Sequence, residues 1–178
     1  MTASFVYMTT ALAFASTLGI ASFARAEEPM QVTGTSSGTK VETHFMAAAG
    51  DPNHVFGLNK WVTTTSSKTP GWEWMHETDV EAFQTDLKLG QSKVQGSFVQ
   101  ENTEGTQMGT YMGVAKFTID AKTNAPKGTY EGTWEITGGT GRFASVRGHG
   151  VDNAKFDGDT FFDNWSGAVT GLEKPLTQ

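Results

Sequence analysis

Between Gly128 and Thr137 the chain reads GTYEGTWEIT, with glycine, an aromatic residue or isoleucine at every second position and threonine or glutamate between them. Side chains alternate across an extended strand. This spacing therefore predicts a strand with Gly128, Tyr130, Gly132, Trp134 and Ile136 on a buried face and Thr129, Glu131, Thr133 and Glu135 on the other. The stretch before it repeats the scheme, with Gly109, Tyr111, Gly113, Ala115, Phe117 and Ile119 on one side. Alternating small and large residues let the rings of one strand fill the space over the glycines of its neighbour, as on the inner wall of a small barrel. Candidate strands cover 41–48, 58–66, 72–78, 82–89, 93–101, 107–120, 129–137, 142–151 and 161–171, separated by Gly, Asn and Asp, and no helical period lasts beyond one turn. DAKTNAPKG and DGD mark two of the turns. Eight or nine short strands predict an all-β fold, an eight-stranded antiparallel β-barrel whose closure removes exposed edges.

An apolar stretch from Phe5 to Phe23 ends in Ala24-Arg25-Ala26, the small-x-small form of a signal-peptidase site. The expected organisation is thus a cleaved leader over 1–26, a Thr-, Ser- and Gly-rich segment over 27–40, and a barrel domain over 41–178. The middle segment reads as a flexible arm or as an ordered first strand. A leader of this kind implies a secreted or periplasmic protein, and 178 residues are enough for one domain with its own core. The chain has no cysteine, which excludes disulfides, thiolate metal sites and a cysteine nucleophile. Of 13 Lys plus Arg the leader holds only Arg25, so 12 face 19 Asp plus Glu and the mature chain carries a net charge of −7. That balance argues against nucleic acid or an anionic membrane as partner. A membrane-embedded barrel is also disfavoured, because the outward parity of Thr129, Glu131, Thr133 and Glu135 would place charges in lipid.

Two polar positions break the apolar interior. In TFFDNWSGAVTG the residues sharing a face are Phe161, Asp163, Trp165, Gly167 and Val169, which puts a carboxylate among buried neighbours, a costly placement without a partner. In RFASVRGHG the parity has two solutions. If Phe143 points inward, Arg147 and His149 enter the barrel and Arg147 pairs with Asp163; if Ala144, Val146, Gly148 and Gly150 point inward, Arg147 is a surface residue. In GWEWMHET one face carries Trp72, Trp74 and His76, with the tryptophans read as core or as the wall of an aromatic cavity and His76 as a pocket-rim or surface residue. The four histidines, at 44, 54, 76 and 149, have no metal-site spacing, so no metal is expected. GGTGRF lies between two strands, not before a helix, so it is no dinucleotide fingerprint and Gly138, Gly139 and Gly141 read as a tight turn with positive φ.

The segment GTWEITGGTGRFASVRGHG, followed by NWSG in the last strand, resembles bacterial allene-oxide-cyclase-barrel-like proteins of the allene oxide cyclase and dirigent superfamily. ITGGTGRF and the following Arg147-Gly148 carry the resemblance, which is confined to roughly the last 80 residues. It implies a calycin-like barrel with an apolar cavity, often a homotrimer. In plant members that cavity holds an oxylipin or a phenylpropanoid intermediate. It also implies that Arg147 lines the pocket, which selects the solution with Phe143 inward. His149 departs from the family's apolar or aromatic residue after the glycine, and the acidic residue near the cyclase N-terminus has no counterpart here.

The first functional expectation is an exported barrel binding a small apolar or aromatic molecule, with Trp72, Trp74, His76, Tyr111, Tyr130, Trp134, Phe143 and Trp165 as candidate contacts. The second is a cofactor-free isomerase or cyclase acting on an oxylipin-like or phenylpropanoid-like substrate, with Arg147 holding an anionic group and Asp163 or His149 moving a proton. The third is a structural barrel filled by its own side chains.

Overall fold

The computed structural model describes residues 28–70 and 72–172, so the expected leader lies outside the described residues. The chain is all-β. Its strands are β1 (Met30–Ala48), β2 (Asp51–Ser67), β3 (Met75–Asp86), β4 (Gln91–Asn102), β5 (Gly105–Ile119), β6 (Pro126–Gly139), β7 (Arg147–Asp157) and β8 (Thr160–Thr170). Each pairs antiparallel with its neighbour in sequence, and β1 pairs with β8, so one eight-stranded sheet closes on itself.

The predicted alternation over 107–120 and 129–137 became β5 and β6, paired with Tyr111 opposite Trp134 and Gly113 opposite Gly132. The small-and-large scheme works across β6, β7 and β8. The Trp134 indole lies where a Cβ on Gly150 would come within 2.4 Å of its ring and one on Gly167 within 2.5 Å, so both neighbours must lack a side chain. Two expected strands, 72–78 and 82–89, are one: β3 runs through without a turn. Of the two readings of the segment before residue 41, the ordered strand is the one observed. From Met30 to Thr39 its backbone pairs with β8, which corrects the flexible arm. Closing the ring requires that pairing, since without it β8 would keep a free edge. The eighth expected strand, 142–151, begins only at Arg147. Before it, Gly141–Phe143 form one 3-10 turn, and Gly141 takes φ 56°, the left-handed region that glycine enters without cost. Gly138 and Gly139 belong to β6 and are not among the positive-φ glycines, so the expected tight turn is confined to Gly141.

The two ends of the ring differ. The β2–β3 and β6–β7 connections meet at one end. There Val32, Trp72, Met75, Phe98, Ile136, Phe143, Val146 and Val169 form a buried apolar plug. Each large side chain so buried contributes about 1.5–3 kcal/mol. Trp72 stacks on Phe143 with centroids 6.3 Å apart and meets Trp165 edge-on at 6.2 Å. Arg142 fastens this floor from outside. Its Nη1 donates to Glu104 Oε2 at 2.5 Å and its Nη2 to the Pro70 carbonyl at 2.8 Å.

Candidate functional site

Above the plug the interior is not filled. A cavity of about 440 Å³ runs up the ring, within the usual range for small-molecule sites. Its far end reaches solvent, where the lining residues Phe45 and Leu87 are exposed. The wall has an apolar upper part, including Phe83, Phe117, Phe156 and Phe161, and a polar middle.

The middle contains five carboxyl groups, Glu77, Asp79 and Glu81 from β3, Asp152 from β7 and Asp163 from β8. One basic residue, Lys40, shares the wall, and its ammonium is held 2.9 Å from Asp159 outside the acidic belt. The β3 acids are partly satisfied by one another and by their neighbours. Thr65 Oγ1 donates to Glu77 Oε2 at 3.2 Å, Thr63 Oγ1 to Asp79 Oδ2 at 3.1 Å, and Gln100 Nε2 also donates to Glu77. Tyr111 donates its hydroxyl to Glu81 at 3.3 Å. Burial raises both Glu77 and Asp79, which share a hydrogen bond, and the repulsion of Glu77 raises Asp79 further.

Asp152 and Asp163 are left more open. They sit on adjacent strands one step apart, because Asp152 pairs with Trp165 and Ala154 pairs with Asp163. Asp163 is 8% exposed, and its Oδ1 has no hydrogen-bond partner; Asp152 Oδ1 has none either. Burial first, then the negative charge of Asp163, pushes Asp152 up to about 7. Burial, then the charge of Glu77, pushes Asp163 up to about 6, against the lowering effect of backbone N–H groups at Asn153 and Asn164. The Tyr130 hydroxyl and Trp165 Nε1, in the same wall, are also buried without partners.

The sequence-based candidates divide accordingly. Trp72, Tyr111, Tyr130, Trp134, Asp163 and Trp165 line the cavity. Phe143 is 0% exposed and belongs to the plug beneath it. Trp74, 62% exposed, lies before β3, and His76 sits on the outer face of β3; their rings meet each other 6.3 Å apart, outside the ring. Because Trp72 precedes the strand, its parity says nothing about theirs.

Arg147 and His149 are corrected in the same way. Phe143 points inward from a 3-10 turn, so the count of two does not carry through to β7. There Gly148, Gly150, Asp152, Ala154 and Phe156 face inward and Arg147 and His149 are exposed. Arg147 Nη1 donates to the Val146 carbonyl at 2.6 Å, and the Arg147–Asp163 pair is not formed. Neither Arg147 nor His149 can reach a molecule in the cavity. Arg147→Glu is therefore expected to leave the affinity for a cavity ligand within about twofold, measured by titration. A tenfold loss, about 1.4 kcal/mol, would return Arg147 to the site.

Sequence reasoning missed Glu77, Asp79, Glu81 and Asp152. No three His, Cys, Asp or Glu among the described residues are arranged to hold a metal ion. No family model matches the chain. Comparison with curated proteins and with solved structures likewise finds no match.

Proposed function

We propose that the chain is an exported barrel protein that binds one small apolar or aromatic molecule inside the ring. The observation that carries this reading is the solvent-connected cavity of about 440 Å³ with Trp61, Tyr111, Tyr130, Trp134 and Trp165 in its wall. A filled structural barrel has no such space. Export rests on the leader features of residues 1–26. The resemblance carried by ITGGTGRF and NWSG supports the allene oxide cyclase and dirigent type of barrel and, with it, a homotrimer. The outer face carries exposed Val62, Val99 and Met108, contiguous across β2 to β5, which suits such an assembly.

A second reading is favoured by Asp152 and Asp163. A carboxyl group that keeps its proton near neutral pH is a general acid, so a cofactor-free isomerase or cyclase would protonate its substrate from Asp152 or Asp163. Arg147 and His149 have no part in it.

The test is titration with N-phenyl-1-naphthylamine, a neutral apolar probe whose emission rises on leaving water. Saturable one-to-one binding is expected. Ala154→Leu, which adds three carbons to a buried wall position, should weaken it about tenfold. Unchanged affinity in Ala154→Leu would place the probe elsewhere and defeat the reading.

A further inference from the structure

The belt of acids raises a question that the apolar lining does not answer. Burying a carboxyl costs several kcal/mol if it ionises without a partner, and a wall meant only for apolar molecules has no use for five. We propose that the ligand carries a positive charge: the cavity takes an aromatic or apolar amine whose ammonium group is held between Asp152 and Asp163, with its apolar body towards the mouth. This rests on the cavity-binding reading above and narrows its ligand class.

Several independent observations converge on it. Asp163 is more than nine-tenths buried, lines the cavity, and keeps Oδ1 without a donor, as Asp152 does. The two stand on neighbouring strands, diagonal to each other, and both line the cavity. Among the described residues no cation serves them. Lys40 is engaged by Asp159, and Arg147 faces outward. The field at this point is negative from several directions, since Asp152, Glu81 and Asp163 all bear on the Tyr130 hydroxyl. The aromatic faces beside the two acids, Tyr130, Trp134 and Trp165, add the ring quadrupoles that attract an ammonium group. Tyr130 Oη and Trp165 Nε1 remain as donors for an acceptor elsewhere on the same ligand. A bare metal ion does not suit the site, because no three ligating side chains converge among the described residues and much of the wall is aromatic.

The experiment compares three molecules that share one ring system and differ in charge: tryptamine, cationic; tryptophol, neutral; and indole-3-acetate, anionic. Isothermal titration at pH 7.5 is expected to give tryptamine at least about tenfold tighter than tryptophol, with indole-3-acetate weakest. Asp163→Asn and Asp152→Asn, each checked for native near-UV circular dichroism, should reduce that preference to within about threefold. Two variants guard against one that fails to fold. If N-phenyl-1-naphthylamine binds but tryptamine is no better than tryptophol, the charge inference is overturned and the cavity reading survives. A preference retained in both variants overturns the assignment to Asp152 and Asp163. If N-phenyl-1-naphthylamine and all three indoles fail to bind, the cavity reading falls and this inference with it.

Discussion

Lowering the pH from 8 to 4.5 is expected to stabilise the protein by about 2 kcal/mol, the reverse of ordinary acid denaturation. The sign follows from Asp163 and Asp152, raised in the folded chain from an ordinary 3.8 to about 6 and about 7. Between roughly pH 4 and 7 the folded protein holds protons that the unfolded chain has lost, so its stability falls as pH rises through that window. Asp163 alone, at about 1.4 kcal/mol for each pH unit between its folded value of about 6 and roughly pH 4.5, gives about 2 kcal/mol. Its deep burial makes solvent screening small. Asp152 feels the same charge, so its contribution is not added. Exposed Glu42, Asp51 and Asp120, which hydrogen bonds hold below their ordinary values, work the other way, and their effect is lost only at lower pH. Scanning calorimetry at pH 4.5 and 8 should show melting temperatures roughly 4–8 °C apart, higher in acid. Asp163→Asn should recover most of the difference at pH 8 and change little at pH 4.5. A melting temperature that rises with pH across this range would mean that both carboxyls are solvated or paired.

This destabilisation belongs to the site itself. A wall that buries two acids, each with one oxygen left without a hydrogen-bond partner, gives up stability at neutral pH, and a ligand that neutralises them would restore it by mass action.

The parts of the fold that were legible in the sequence are those where burial and hydrophobicity agree. Tyr111, Tyr130, Trp134 and Trp165 each alternate with small residues along strands apolar on one side only, so their inward direction followed from a count of two. β3 reads the other way. Its inward residues Glu77, Asp79 and Glu81 look like a solvent face, whereas Thr78, Val80 and Ala82 look like a core face yet point outward. Hydrophobic parity reports average burial, and a cavity lined with acids is where that average fails. The only hint lay in the partners: Thr63 and Thr65 on β2 and Gln100 on β4 are hydrogen-bonding residues that supply what buried carboxylates require. Asp152 was hidden by a different error. Carrying one parity through 142–151 reversed β7, and restarting the count at Arg147 puts Asp152 inward with Ala154 and Phe156.

Phe143→Ala is expected to cost about 3–5 kcal/mol, the loss typical of truncating a fully buried aromatic residue. Phe143 is 0% exposed and sits beneath the cavity, stacked on Trp72, which in turn supports Trp165 of the cavity wall. Its backbone cannot follow a smaller side chain inward. The turn that presents it is fixed by Gly141 in the left-handed region and by Arg142 tied to Glu104 and Pro70. The void therefore stays largely open, which places the cost at the upper part of the usual range. Phe143→Leu, which retains most of the volume, should cost less than half as much. Trp74→Ala removes a larger ring from the outer surface and should cost under about 1 kcal/mol. Urea unfolding of the three variants measures all of this. A Phe143→Ala loss no greater than that of Trp74→Ala would mean that the floor does not close the ring. If the floor does close it, the same variant should also weaken cavity ligands, because Trp165 loses the support of Trp72 that orients its ring beside Asp163.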